Sequence, residues 1–181
     1  MLAFLLELDR NMLLWIQDVL RSDILTPFFI IITRIGNGGT IWISLSVILL
    51  IPKKTRRIGI LSLLALMGSF IIDNIILKNL VARTRPYEVV QGLQLLIGKQ
   101  NDFSFPSGHT GSSFASAVIL YKELPKKYGI PLIGLATLIG FSRLYLAVHY
   151  PSDVLGGAII GTLIAILVNK VYYLLFDNSG K

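Results

Sequence analysis

The stretch VLGGAIIGTLIAILVN, Val154–Asn169, decides the fold class. It carries no charge, shows no strict apolar–polar alternation, and is bounded by Asp153 and Lys170. A helix needs about 20 mostly apolar residues to cross a bilayer, with about 17 as the working minimum. Four more stretches reach or approach that length. They are Ile35–Pro52, Ile58–Leu77 interrupted only by Asp73, Ser104–Tyr121, and Tyr128–Val148 interrupted only by Arg143. None alternates with a period of two, which excludes an outer-membrane barrel. The expected fold is all-α, a polytopic membrane protein with five to six transmembrane helices in a bundle.

The composition agrees. Hydrophobic residues make up 54% of the 181 residues, charged residues only 15%, and the mean hydropathy is +0.71. Roughly a quarter of an ordinary soluble domain is charged, so this chain lacks the polar surface of a water-soluble monomer. Seventeen Lys and Arg against ten Asp and Glu give a net charge of +7. Nucleic acid is not the expected partner, because the basic residues sit in short clusters between the apolar stretches, a pattern that orients membrane proteins. Lys53–Arg57 and Lys122–Lys127 fall on one side of an alternating topology, which the positive-inside rule assigns to the cytoplasm. The extracytoplasmic side then receives Gly36–Gly39, the long loop Val81–Phe105, and the junction His149–Asp153. Without cysteine there is no disulfide, no thiolate metal site and no Cys nucleophile.

Residues 1–36 read differently. Leu2, Leu5, Leu6, Leu13, Leu14 and Ile16 are interspersed with Glu7, Asp9, Arg10, Asp18, Arg21 and Asp23. That pattern suits an amphipathic helix lying in the membrane interface. Ile24–Thr33 is apolar but reaches only about halfway across a bilayer, and it is followed by a glycine-rich turn. A cleavable signal peptide is excluded by the missing basic start and cleavage site. The chain therefore reads as one domain, 1–181. Its N-terminal region 1–36 is partly inserted and able to supply a sixth span, and 37–176 form the helical core. Asp177–Lys181 reads as a polar tail.

Three polar clusters collect on the extracytoplasmic face: Lys78-x6-Arg85-Pro86, Pro106-Ser107-Gly108-His109, and Ser142-Arg143-x5-His149-x3-Asp153. Ionisable groups at membrane depth are costly and mark functional sites. Arg suits bidentate recognition of phosphate and Lys supplies a compact charge. Ser107 is a preferred N-cap and Gly108 permits close backbone approach. The helix terminus they open favours an anion. Lys78, Arg85, Arg143 and this terminus together point to a phosphate. Asp153 is placed to orient one nitrogen of His149, leaving the other free as a nucleophile. His109 is placed to protonate a leaving group. The cations take the charge-neutralising task that metals perform elsewhere, so neither a metal nor a cofactor is expected.

These residues resemble the signature of the type 2 phosphatidic acid phosphatase (PAP2) superfamily, over roughly Gly36 to the C-terminus. The chain is similar to its small bacterial membrane members, the undecaprenyl-pyrophosphatase and phosphatidylglycerophosphatase type, which share their helical core with vanadium haloperoxidases. The resemblance implies phosphate binding by Lys78, Arg85, Ser107, Gly108 and Arg143. It implies His109 as acid, and His149, partnered by Asp153, as the residue that becomes a phosphohistidine. It further implies a metal-independent phosphatase of a lipid phosphate or pyrophosphate: undecaprenyl pyrophosphate, phosphatidylglycerol phosphate or phosphatidic acid. The expected place is the cytoplasmic membrane, with the site on its extracytoplasmic side. Two other readings stay open: a lipid phosphotransferase using the same phosphohistidine, and a non-catalytic lipid-phosphate binder or transporter.

Other features read as structural. Arg83 reads as a headgroup or loop contact. Asn74, one turn from Lys78, is placed for a helix–helix hydrogen bond or a supporting role at the site. Gly156, Gly157, Ala158 and Gly161 suit close helix packing. Trp15, Trp42, Tyr145 and Tyr150 read as interface aromatics.

Overall fold

The computed structural model describes residues 2–176; the polar end Asp177–Lys181 lies outside them. All regular structure among the described residues is helical. Helix α1, Leu2–Trp15, continues into a π-helical turn at Ile16–Leu20, and α2 spans Leu25–Ile35. A short 3-10 turn at Asn37–Gly39 then leads into α3, Thr40–Leu50. Next come α4, Arg56–Ser69, the π-helical Phe70–Leu77, and α5, Lys78–Val81. The long loop holds the short α6, Pro86–Val89. Three helices complete the bundle: α7, Gly108–Glu123; α8, Lys126–Tyr145; and α9, Pro151–Phe176.

Helix α7 is the centre, packed against α9, α8 and α4. Small residues make this possible. A Cβ on Gly161 would drive into the carbonyl of Gly111, and one on Gly157 would stand 2.6 Å from the carbonyl oxygen of Ser107. The α7 and α9 backbones are therefore in direct contact, as the small residues of α9 suggested. Hydroxyls link the other neighbours: Ser46 donates to Ser62 at 2.7 Å, Ser62 lies 2.7 Å from Ser116, and Trp42 donates to Ser113 at 2.9 Å.

By length and composition, Arg56–Val89, Lys126–Tyr145 and Pro151–Phe176 each suffice to cross a membrane, and Leu25–Ile35 with Asn37–Leu50 form a fourth candidate bent by 46°. The described residues thus hold three to four such spans, where the sequence reading expects five to six. The difference lies partly in α7, which has 16 residues, many of them Ser, Gly and Thr. A helix enclosed by other helices meets protein rather than lipid, so it does not need an apolar surface.

Three of the aromatics are corrected by the same principle. Trp42 and Tyr145 are fully buried, and Tyr150 is nearly so. The Tyr145 hydroxyl accepts the Ser22 backbone N–H at 3.0 Å and lies 3.1 Å from Thr26 Oγ1. These rings serve the core, and the polar atoms of Trp42 and Tyr145 are satisfied inside the protein. Trp15 remains exposed.

Helix α1 lies over the end of α8 and the start of α9. Its Leu13 packs with Val90, Leu93, Ala147 and Tyr150, and Ile16 packs with Phe29, Leu146 and Val148. At the opposite end Arg57 pairs with Glu123 at 2.5 Å, which brings the two basic loops together. The bundle therefore has a basic end and, opposite it, an end where all three polar clusters meet.

Candidate active site

A cavity of about 480 Å³ opens at that second end. One wall is polar and carries Lys78, Arg85, Arg143, His109, His149 and Gly108. The other is apolar and comes from α3, α4 and the start of the π-helical segment, through Ile43, Leu63, Leu66, Met67 and Phe70. The expected phosphate-binding cations and both histidines thus share one cavity. Ser107 and Asp153 stand behind its wall.

Lys78 follows the π-helical turns directly and is buried. It pairs with Asp102 from the long loop. Ala82, at φ 48°, ends α5 in the left-handed region and redirects the chain. Arg85 is extended, at φ −76° and ψ 150°, as expected of a residue before proline. Its guanidinium donates to the Val148 carbonyl at 2.7 Å, the Asp102 carbonyl at 2.8 Å and the Asp102 carboxylate at 2.5 Å. Arg143, near the end of α8, donates to Thr33 Oγ1 at 2.5 Å, while its buried Nε has no partner. An unpartnered guanidinium N–H in a buried cationic site is a donor open to an anion.

His149 sits in the turn between α8 and α9, which Ala147 at φ 61° reverses. Its Nε2 lies 3.4 Å from Arg85 NH1 and its Nδ1 lies 3.5 Å from Asp153 Oδ2. A cation donor at Nε2 and a carboxylate at Nδ1 place the ring proton on Nδ1 and the lone pair on Nε2. Burial pushes the His149 pKa down to about 4; the contact with Asp153 opposes this, while Arg143 and Arg85 add to it. The imidazole is neutral at pH 7, as a nucleophile requires.

Asp153 is the third residue of α9 and accepts the Tyr150 backbone N–H at 2.9 Å, one half of a capping box. Its carboxylate also accepts the Ser104 hydroxyl at 2.5 Å. His109, in the first turn of α7, has Nε2 2.9 Å from Asn37 Oδ1. A Cβ at Gly108 would stand 2.5 Å from Asn74 Oδ1 and displace that side chain. Asn74 itself lines the cavity beside Lys78. The backbone N–H of Ser107 is already used, donating to the Asp153 carbonyl at 3.1 Å, and its hydroxyl accepts from Thr110 at 2.9 Å. Ser107 therefore fixes α7 against the start of α9.

Several residues at the site were not singled out in the sequence. Asp102 holds Lys78 and Arg85 together, and burial alone would raise its carboxyl. The hydrogen bond and charge of Lys78, with Arg85 beside it, outweigh that and hold it at about 2. Thr33 and Asn37 support Arg143 and His109 from the N-terminal side. Arg83 is no headgroup contact. It donates to Asp153 Oδ1 at 2.6 Å and to Asp9 at 2.7 Å, so its charge is turned inward. Its position two residues before Arg85 was the one local signal for it. Among the described residues, no three His, Asp or Glu side chains converge as a metal site requires.

The arrangement can hold a tetrahedral anion between three cations and a helix start, with a neutral imidazole on one side and a second imidazole nearby. Comparison with known proteins gives the same direction. The sequence profile of the PAP2 superfamily matches residues 59–177. An undecaprenyl-diphosphatase of Sulfolobus acidocaldarius is 36% identical over 127 residues, which cover 70% of this chain and 61% of that protein's own length. The crystal structure of Aquifex aeolicus LpxE superposes with a TM-score of 0.79 at 30% identity, covering 92% of this chain and 95% of that one. A transmembrane PAP2-type phosphatidylglycerolphosphate phosphatase from Bacillus subtilis gives a TM-score of 0.75 at 30% identity, covering 97% and 87% respectively.

Proposed function

The chain belongs to the PAP2 superfamily, and from that premise we propose that it is a membrane phosphatase that removes a terminal phosphate from a lipid phosphate or pyrophosphate. The observation that carries this reading is the orientation of His149: its lone-pair nitrogen Nε2 faces the cationic wall, and its Nδ1 faces Asp153.

On this reading the substrate phosphate takes the place of the Asp102 carboxylate at Lys78 and Arg85, and it also meets Arg143 and the start of α7. Nε2 of His149 attacks phosphorus, forming an N–P bond as the bond to the leaving oxygen breaks. His109, brought to its charged form by the negative phosphate beside it, gives its proton to that oxygen. Water then attacks the phosphohistidine while His109 takes its proton. The N–P bond breaks, its electrons return to Nε2, and orthophosphate departs. The three cations stabilise the charge on the equatorial oxygens throughout, so the reaction proceeds without a metal.

The apolar wall supports a lipid substrate. Ile43, Met67 and Phe70 line the cavity and are also exposed on the outside of the bundle, giving a hydrocarbon tail a route from headgroup site to bilayer. The names of the relatives make undecaprenyl pyrophosphate and phosphatidylglycerol phosphate the first substrates to try, with phosphatidic acid beside them. The protein's place is the cytoplasmic membrane with the cavity on the extracytoplasmic side, a reading supported by the basic loops at the opposite end.

The test is phosphate release by the detergent-purified full chain from these three lipids, in excess EDTA. The expected result is EDTA-resistant turnover on at least one lipid, abolished by His149→Ala. Turnover that survives His149→Ala, or headgroup binding with no release, overturns the proposal. A phosphorylated lipid or sugar acceptor in place of free phosphate would mark a phosphotransferase instead.

A further inference from the structure

Asp9 is a carboxylate on an otherwise exposed part of α1, yet only 4% of it is accessible. It turns into the bundle and meets the first turn of α9. Its Oδ1 accepts the Ser152 backbone N–H at 2.9 Å, and Oδ2 accepts the Ser152 hydroxyl at 2.5 Å. Arg83 stands between this carboxylate and Asp153. One guanidinium nitrogen donates to Asp9 at 2.7 Å, and the other donates to Asp153 Oδ1 at 2.6 Å and to Ser152 Oγ at 2.7 Å. The guanidinium lies 3.9 Å from the centre of the Tyr150 ring, which fixes its plane. The Arg83 carbonyl also accepts the Ser104 N–H at 2.8 Å, and the Ser104 hydroxyl holds the other oxygen of Asp153.

We infer that Arg83 and Asp9 are a positioning pair that holds Asp153, and through it the imidazole of His149, in register for attack. The inference rests on the proposed role of His149 as nucleophile. Neither Asp9 nor Arg83 lines the cavity, so neither can touch the substrate phosphate. Their influence runs through the start of α9: through Asp153 directly, and through Ser152, Tyr150 and Ser104 around it. Without Arg83, Asp153 would lose the donor on Oδ1 and face the like charge of Asp9, leaving only the Tyr150 N–H and the Ser104 hydroxyl on Oδ2 to hold it toward His149. Without Asp9, the full charge of Arg83 would fall on Asp153 and draw it from the imidazole as that ring acquires positive charge. Helix α1, which lies outside the family-matched residues 59–177, is thus part of the apparatus that aims the nucleophile.

The test uses the full chain in detergent with phosphatidic acid, or whichever of the three lipids it hydrolyses best. Three quantities are read: kcat, KM, and the inhibition constant of orthophosphate, which reports the cationic wall independently. Expected for Arg83→Ala is a loss of about 100-fold in kcat with KM and phosphate inhibition within about twofold of wild type. Arg83→Lys should recover about tenfold of that loss, and the isosteric Asp9→Asn should lose about tenfold in kcat. Adding Asp9→Asn to Arg83→Ala should cost little more, since the two act as a unit. If Arg83→Ala does not fold, Asp9→Asn and Arg83→Lys decide the matter. Unchanged kcat in those two variants, or a rise in KM and phosphate inhibition constant with kcat preserved, overturns the inference. Wild-type activity abolished by His149→Ala but untouched by Arg83→Ala removes this proposal and leaves the function standing. Activity retained by His149→Ala removes the function itself.

Discussion

Replacing Asp102 by Asn should tighten the binding of orthophosphate. The Asp102 carboxylate pairs with Lys78 and Arg85, the same cations that the proposed mechanism assigns to phosphate. The fall of its pKa from 3.8 to about 2 measures how strongly those cations hold the charge. At 1.36 kcal/mol per pKa unit, that hold amounts to about 2 kcal/mol. The side chain is 50% exposed, however, and screening by solvent leaves about 1 kcal/mol. An incoming phosphate must release this interaction, and Asp102→Asn removes it while keeping an oxygen of similar shape. The expected gain is about fivefold in the inhibition constant of orthophosphate, read from competition against lipid hydrolysis at fixed ionic strength. Because the carboxyl titrates at about 2, the difference between wild type and variant should be constant from about pH 5 to 8. An unchanged or weaker inhibition constant would refute this reasoning and make Asp102 a brace for the two cations rather than a competitor with substrate.

Two further outcomes follow from buried features. His149 has a folded-state pKa of about 4 against 6.5; below 6.5 the unfolded chain binds a proton that the folded chain refuses. Stability therefore falls as pH drops from about 6.5 to about 4, by roughly 3 kcal/mol at most. Melting curves in detergent should show a shallower decline for His149→Gln, and parallel curves would contradict the assignment. Gly161→Ala should cost about 3 kcal/mol by forcing α9 off α7, whereas Gly98→Ala, with open space around it, should melt with the wild type. Equal melting of both variants would mean the two backbones are not in tight contact.

Much of this was legible in the sequence because the signals are local. Charge-free runs mark the apolar helices, and the three short motifs carry their own spacing, so Lys78, Arg85, Arg143, His109 and His149 could be placed on one face before any coordinates. What failed to show was whatever depends on tertiary neighbours. The charge of Asp9 looked like the polar side of an interfacial helix because its partners, Arg83 and Ser152, lie 74 and 143 residues away. Trp42 and Tyr145 carry the same amphipathic rings as interface residues. Only the hydroxyl of Ser113 and the N–H of Ser22 show that their polar atoms are satisfied within the protein. The sequence of α7 hid its central position in another way: the charge-free run Ser104–Tyr121 reads as one more span, and nothing local in it shows that protein rather than lipid surrounds it.

The direct contact between α7 and α9 has an electrostatic consequence. Both helices begin at the cavity end, so they run side by side in the same direction, and the like partial charges of their macrodipoles face each other at the paired N-termini. Asp153 relieves part of that repulsion at the start of α9. A phosphate seated at the shared positive end relieves more, and its binding should tighten the whole central helix pair, raising the melting temperature well beyond the residues it touches.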